Sequence, residues 1–287
     1  MTKIIFIGTS EFGLPTLEAL INNDYQISAV ITSPDKPVGR DQQLKASPIK
    51  QIAQKHNLEI WQPDKIEQSF EQVKAAKPDL ILTAAYGQFL PQEILDLPPL
   101  GALNLHGSLL PKYRGASPIQ SAILNHEEKT GVSLILMDLK MDHGPIIAKK
   151  EIPIEPYDTS QTLHDKLAKL ATELSLEALP LYIEGKIKPQ PQDDSQATYT
   201  KILTRQDGQL DFSKTATQLE QQVKAYHPWP GSWTVLYNKR VKIIKARAIT
   251  HKENEAIACT EGFLLPEIIQ PEGKKPMRWQ DFLRGVK

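Results

Sequence analysis

A single cysteine, Cys259, occurs among 287 residues. No disulfide can form within the chain, and a cysteine-rich zinc site is excluded. Net charge is missing too, with 34 Lys and Arg against 34 Asp and Glu. No apolar run approaches the roughly 18 residues of a membrane helix, so no membrane partner is expected. The opening Met1-Thr2-Lys3-Ile4-Ile5-Phe6-Ile7-Gly8 lacks the apolar stretch and cleavage site of a signal peptide. A reducing cytoplasm is the expected location. Aromatic residues are few, at 7%, but the 40% hydrophobic and 24% charged fractions are those of a folded soluble chain. Disorder is therefore not indicated.

The zero charge hides an asymmetry. Residues 1–197 carry 19 basic and 25 acidic side chains, a balance of −6; residues 198–287 carry 15 and 9, a balance of +6. Chance is the bland explanation, and contact of the C-terminal part with a polyanion is the sharper one.

Ile4–Ile7, Ile27–Thr32 and Asp79–Ala84 are short runs rich in Ile, Val and Leu, as expected of strands buried on both faces of a parallel sheet. Helix-like stretches, Leu14–Ile21 and Pro48–His56, lie between them, with Ser47 placed to cap the second and Pro48 in its first turn. This alternation predicts an α/β fold with a doubly wound, mostly parallel, Rossmann-like sheet. Ala102–Leu105, Val132–Met137 and Pro145–Ile152 continue the strands. From Ser160 the spacing of Leu163, Leu167, Leu170 and Leu174 predicts a long helix that Pro180 should kink or end. Residues 186–197 are polar, contain two prolines and show no periodicity, which reads as a linker. The expected domains are 1–185 and a smaller, β-rich 198–287 containing Trp233–Tyr237 and Arg240–Ala246.

Gly8-Thr9-Ser10-Glu11-Phe12-Gly13 stands where a dinucleotide fold would carry its glycine fingerprint, but Ser10 replaces the middle glycine. Asp35 after the second strand is weak support for a ribose. A turn packing strand on helix is the better reading, and NAD is not expected.

The informative stretch is Gly101-Ala102-Leu103-Asn104-Leu105-His106-Gly107-Ser108-Leu109-Leu110-Pro111-Lys112-Tyr113-Arg114-Gly115. Asn104 and His106, two apart at a strand end, share one face. An amide and an imidazole aimed at one point can stabilise an oxyanion. A satisfied polar pair is the plainer alternative, until Asp142 is considered. In a parallel sheet the loop after the next strand can lie beside the loop after Leu105, so that Asp142 orients His106. Asp138 is expected to cap its loop, and His143 is secondary.

Asn104-x-His106-x-Ser108-Leu109-Leu110-Pro111, followed by Arg114-Gly115 and Asp142-x-Gly144, resembles the formyltransferases that use 10-formyltetrahydrofolate. Branches acting on a purine precursor, on amino-sugar nucleotides and on charged initiator tRNA share this signature. Ile7–Gly13, the loop Pro34–Arg40, Ser47–Lys50, Tyr199–Leu203, Asp207-Gly208, Asp211-Phe212, Pro228–Gly231 and Gln270–Met277 are similar to the tRNA branch, so that the resemblance spans nearly the whole chain.

The resemblance implies transfer of the formyl group from 10-formyltetrahydrofolate, as cosubstrate, to the α-amino group of methionine on initiator tRNA. Asn104 and His106 would stabilise the oxyanion, while Asp142 orients His106 and aids proton removal. Ser108, Leu109, Leu110 and Pro111 would line the folate pocket, with Tyr86–Pro91 as a further wall. Arg40, in a loop continuing Asp41-Gln42-Gln43 where the family is more basic, would approach the tRNA. Lys242, Lys245 and Arg247 in the basic second domain would hold its phosphates, and Arg114 would pair with a phosphate or the folate tail. Neither metal nor nicotinamide is required, and a monomer is expected. The segment between Ile249 and Gln270 is shorter than in the family, implying a reduced, partly open barrel of OB type. An amino-sugar nucleotide formyltransferase and a non-catalytic folate- or RNA-binding relative are the alternatives.

Overall fold

The apolar runs become central strands in the computed structural model of the protein, which describes residues 1–23, 25–38, 43–253 and 255–286. Lys3–Gly8 (β1) is buried from Ile4 onward. Alternation sends Ile5 and Ile7 to one face, where they join Ile81, Val73 and Ile94 in one core cluster, and Ile4 and Phe6 to the other. Burial on both faces explains why the run is continuously apolar rather than alternating.

Leu14–Asn22 (α1), Gln26–Ile31 (β2), the hairpin Lys36–Val38 (β3) and Gln43–Lys45 (β4), Pro48–Lys55 (α2), Ile60–Trp61 (β5), Phe70–Ala76 (α3), Leu80–Ala84 (β6), Gln92–Leu95 (α4) and Ala102–His106 (β7) follow. Ser47 caps α2 by accepting from Lys50 N at 3.1 Å. After β7 come Arg114–Gly115 (β8), Pro118–Leu124 (α5), Lys129–Leu136 (β9), Ile146–Pro153 (β10) and Ser160–Ile183 (α6). The seven-stranded sheet has the order β10-β9-β7-β6-β1-β2-β5. Its strands from β5 to β7 are parallel, but β9 is antiparallel to β7, pairing Leu103 with Leu136 and His106 with Ser133.

At the first glycine turn, a Cβ on Gly8 would stand 2.8 Å from Ala84 O, so this glycine serves close packing. Asp35 is held by Lys50 Nζ at 2.7 Å and Gln62 Nε2 at 2.9 Å, and the Lys50 bond keeps its carboxyl below the usual carboxylate range. In α6, Leu163, Leu167, Leu170 and Leu174 are buried as the spacing predicts. Pro180 does not end the helix, which runs on to Ile183. The proline is on the exposed side, and Glu184 N reaches its carbonyl at 3.0 Å, so the missing N–H costs one bond near the helix end.

Two compact units result. One comprises residues 1–115, 131–152 and 164–199; the other comprises 116–130, 153–163 and 200–287. In the second unit α5 lies with Ala216–Ala225 (α7), which follows Tyr199–Thr200 (β11) in the chain. Beyond α7, Ser232–Leu236 (β12), Lys239–Ile249 (β13), Ile257–Ala258 (β14), Phe263–Pro271 (β15) and Met277–Arg278 (β16) form an antiparallel five-stranded sheet, and Trp279–Arg284 (α8) closes the chain. Leu219 and Val223 of α7 and Phe282 and Leu283 of α8 pack with Val241, Ile243, Leu264 and Ile269. β14 and β16 each contribute two residues to the outer edge of β15.

Candidate active site

β7 brings Asn104 and His106 to one face. Thr83, on the neighbouring β6, donates from Oγ1 to Asn104 Oδ1 at 2.8 Å. That bond turns the amide nitrogen outward, where it donates to Asp142 Oδ1 at 3.4 Å. Thr83 is buried, and sequence reading missed it because a lone threonine in an apolar strand is unremarked. His106 Nε2 lies 2.8 Å from the carbonyl of Tyr113, which only accepts, so Nε2 carries a hydrogen. Its Nδ1 is 3.5 Å from Asp142 Oδ2. The amide, imidazole and carboxylate therefore meet at one point.

The route by which Asp142 arrives differs from the expected one. β9 runs against β7 and ends beside Leu103, away from the His106 end. The carboxylate is not delivered by a parallel strand end; residues 137–144 instead fold over the face of β7 that carries Asn104 and His106. Met137 N starts the loop on Ala102 O at 2.7 Å. Gly144 lets it return, since a Cβ there would collide with Leu136 O. Asp142 itself adopts φ +47°, and its Oδ2 accepts from Gly115 N at 2.7 Å. Asp138 Oδ1 caps the loop at Lys140 N, and its Oδ2 meets His143 Nδ1 at 2.6 Å.

Of the four residues assigned to a folate pocket, two face inward. Ser108 is wholly buried, donates to Lys112 O at 2.6 Å, and its carbonyl accepts from Ser133 Oγ at 2.8 Å. Leu110 is 0% exposed, with its N–H on Ser133 Oγ at 3.0 Å. Both hold the loop's shape. Leu109 and Pro111 are half-buried and remain open to a ligand. Phe89, in the loop after β6, and Leu139, in the Asp142 loop, expose most of their apolar surface. The starts of these loops pack together, Tyr86 and Leu90 sharing a core cluster with Met137.

Arg114, expected to pair with a phosphate or the folate tail, is engaged within the protein. It is 1% exposed, and its guanidinium donates to Gln192 Oε1 at 2.8 and 3.1 Å, Asp194 Oδ1 at 2.7 Å and Tyr199 Oη at 3.2 Å. Residues 190–199 thus pack against this unit: Ile146 and Gln190 exchange backbone bonds, and Arg114 N donates to Thr198 O. The Arg114 bond holds the Asp194 carboxyl below the usual carboxylate range.

In the second unit, a bulge between Ile243 and Ala246 keeps Lys242, Lys245 and Arg247 on one face of β13 while Val241, Ile243 and Ala246 stay inside. Their charges are engaged. Lys242 Nζ is half-buried on Pro228 O at 2.8 Å, and burial pushes its pKa down. Lys245 pairs with Glu267 at 2.8 Å and Arg247 with Glu253 at 3.2 Å. These two pairs are exposed and weak enough to exchange partners. Lys239, Arg240, Lys274 and Lys275 form a second exposed group, drawn together by Glu272 N on Arg240 O at 3.0 Å, and among the described residues none of the four is in an ion pair. Arg40 lies outside the described residues.

Comparison with known proteins accords with this arrangement. The family described as formyl transferase matches residues 2–179, and its C-terminal domain matches residues 202–287. The chain belongs to the formyl transferase family, in the branch of the methionyl-tRNA formyltransferases. A methionyl-tRNA formyltransferase of Enterococcus faecalis is 43% identical over 302 aligned positions, covering 100% of this chain and 96% of the relative. Among solved structures, HypX from Aquifex aeolicus in complex with tetrahydrofolic acid has a TM-score of 0.71 at 17% identity, over 99% of this chain and 47% of HypX; the chain spans about half of that protein. An N-formyltransferase from Helicobacter canadensis, in complex with folinic acid and dTDP-3-aminofucose, has a TM-score of 0.71 at 21% identity, over 94% of this chain and 100% of that one. At these identities the two structures speak for the fold alone.

Proposed function

We propose that the chain transfers the formyl group of 10-formyltetrahydrofolate to the α-amino group of methionine esterified to initiator tRNA. The observation that carries the reading is the meeting of Asn104, His106 and Asp142, within 3.5 Å of one another through Asp142, in a chain of this family. The neutral amine attacks the formyl carbon, a C–N bond forms, and the carbonyl electron pair moves to oxygen. Asn104 keeps one amide hydrogen on Asp142 and directs the other at that oxyanion. His106 gives up the Tyr113 carbonyl to supply the second donor. Asp142 holds the imidazole in register and takes part in removing the proton that the amine loses. Collapse breaks the bond to the folate nitrogen, which regains a proton.

Leu109, Pro111 and Phe89 supply apolar surface to the flat rings of the folate. The exposed cations of the second unit, Lys245 and Arg247 among them, meet tRNA phosphates rather than bases. All three catalytic groups come from one chain, which suits a monomer, and charged tRNA is a cytoplasmic substrate.

The test is direct. Protein, formyl-folate and Met-tRNA are incubated, the ester is hydrolysed, and N-formylmethionine is sought by mass spectrometry, with an amino-sugar nucleotide as the competing acceptor. Formylation of the sugar and not of the tRNA overturns the reading, as does no turnover of either.

A further inference from the structure

We propose that Gln192 is a positioning residue for Asp142, acting through the backbone of the loop that carries it. The inference rests on the catalytic role proposed above for Asp142. Apart from Gln192 the loop is held mainly by polar contacts: Met137 N on Ala102 O, Gly115 N on Asp142 Oδ2, and His143 between Asp138 and Asp194. Leu139 and Met141 are exposed, and Asp142 sits at φ +47°, in the left-handed region that an aspartate visits when hydrogen bonds hold it there.

Gln192 supplies two such bonds. Its Nε2 donates to Asp142 O at 2.8 Å and to Gly144 O at 2.8 Å, gripping the chain at Asp142 and two residues beyond. The orientation of this amide is fixed by chemistry. A guanidinium only donates, so the glutamine oxygen must face Arg114, which reaches it at 2.8 and 3.1 Å, and the nitrogen must face the loop carbonyls. Arg114 is in turn immobilised by burial and by Asp194 and Tyr199. A rigid buried cation therefore aims one amide at the catalytic loop, in the manner of an outer group that steadies a reacting one.

Two substitutions and one double variant test this in the full chain. Gln192→Leu removes both bonds to the loop at similar volume, and with them the acceptor of two bonds from Arg114. Gln192→Glu keeps, and charges, the acceptor for Arg114 but sets a carboxylate against the Asp142 and Gly144 carbonyls. Gln192→Leu should melt lower, because it leaves buried Arg114 without that acceptor, and Gln192→Glu, which keeps it, should melt nearer the wild-type temperature; in both, kcat for Met-tRNA formylation should fall on the order of tenfold or more with KM for tRNA and formyl-folate little changed. If Gln192 were only a partner for Arg114, Gln192→Glu would turn over like wild type, and that result overturns the inference even if Gln192→Leu fails to fold. In an Asp142→Asn background, Gln192→Glu should add no further loss. An impaired Asp142→Asn with a fully additive Gln192→Glu loss refutes the positioning role and leaves the catalytic one standing. Normal turnover by Asp142→Asn alone overturns both.

Discussion

Replacing Asp142 with Asn probes the site with a change of one atom. In the native arrangement Oδ2 accepts from Gly115 N at 2.7 Å and Oδ1 from Asn104 Nδ2 at 3.4 Å, with His106 Nδ1 3.5 Å from Oδ2. An asparagine offers one acceptor where the carboxylate offered two. If its oxygen stays on Gly115 N, its amino group faces the amino group of Asn104. If it turns, donor faces donor at Gly115. Either way one charge-assisted bond is lost, worth about 1.5–3 kcal/mol, and the negative charge beside His106 goes with it. That range corresponds to roughly tenfold to a hundredfold in rate when it is felt in the transition state. Single-turnover formylation of Met-tRNA at saturating formyl-folate measures the chemical step, and titration with a folate analogue should show affinity nearly unmoved. A folded variant whose rate stays within about twofold of wild type would remove Asp142 from the mechanism.

Three further outcomes are expected. Leu110→Asp should lower thermal stability by several kcal/mol, because it places an unpaired charge at a wholly buried position, and a melting midpoint equal to wild type would refute that placement. Changing Lys239, Arg240, Lys274 and Lys275 together to Ala should raise KM for tRNA and flatten its salt dependence while folate affinity holds; an unaltered salt slope would make this group a merely solvated surface. Lys201 and then Thr204 hold the Asp207 carboxyl down at about 2, so its contribution to stability is fully present above the ordinary carboxylate pKa and is lost as pH falls through about 2. Asp207→Asn should therefore melt lower than wild type at neutral pH, by about 1 kcal/mol after allowance for screening at the exposed lysine, with the gap closing in acid; a gap independent of pH contradicts the pairing.

What could be read in the sequence was what burial writes there. Ile4–Ile7 and Leu80–Leu82 are apolar at every position because both faces of the sheet are covered, and Ser47 before Pro48 marks a helix start by its own hydroxyl. Asn104 and His106 were legible because strand alternation is local. The direction of β9 was not, since Val132–Met137 is equally apolar read either way, and direction is fixed by where α5 returns the chain. The engagement of Lys245 and Arg247 was hidden because their carboxylate Glu267 lies on β15 and is reached only by sheet pairing. Residues 186–197 read as a solvated linker because their partners, Arg114 and the backbone of Asp142 and Gly144, are some eighty and fifty residues distant.

The antiparallel course of β9 divides the catalytic groups by what supports them. Asn104 and His106 stand on a strand laddered on both sides by β6 and β9, with Thr83 fixing the amide from within the sheet. Moving them means deforming the core, so substitutions around them should act first on stability. Asp142 stands on a loop that the sheet holds only at its ends. Its position depends on a few polar bonds, from Gly115 N and from Gln192, each modest beside the packing of a strand. Residues that stiffen this loop can therefore alter turnover while leaving the folded state almost as stable as before. It also follows that the carboxylate is the member of the trio most able to shift as substrate arrives. For the role proposed for Asp142, to orient His106 and take part in removing a proton, such a support requires the proposed grip of Gln192 and Arg114 to return the carboxylate to the same place in every cycle.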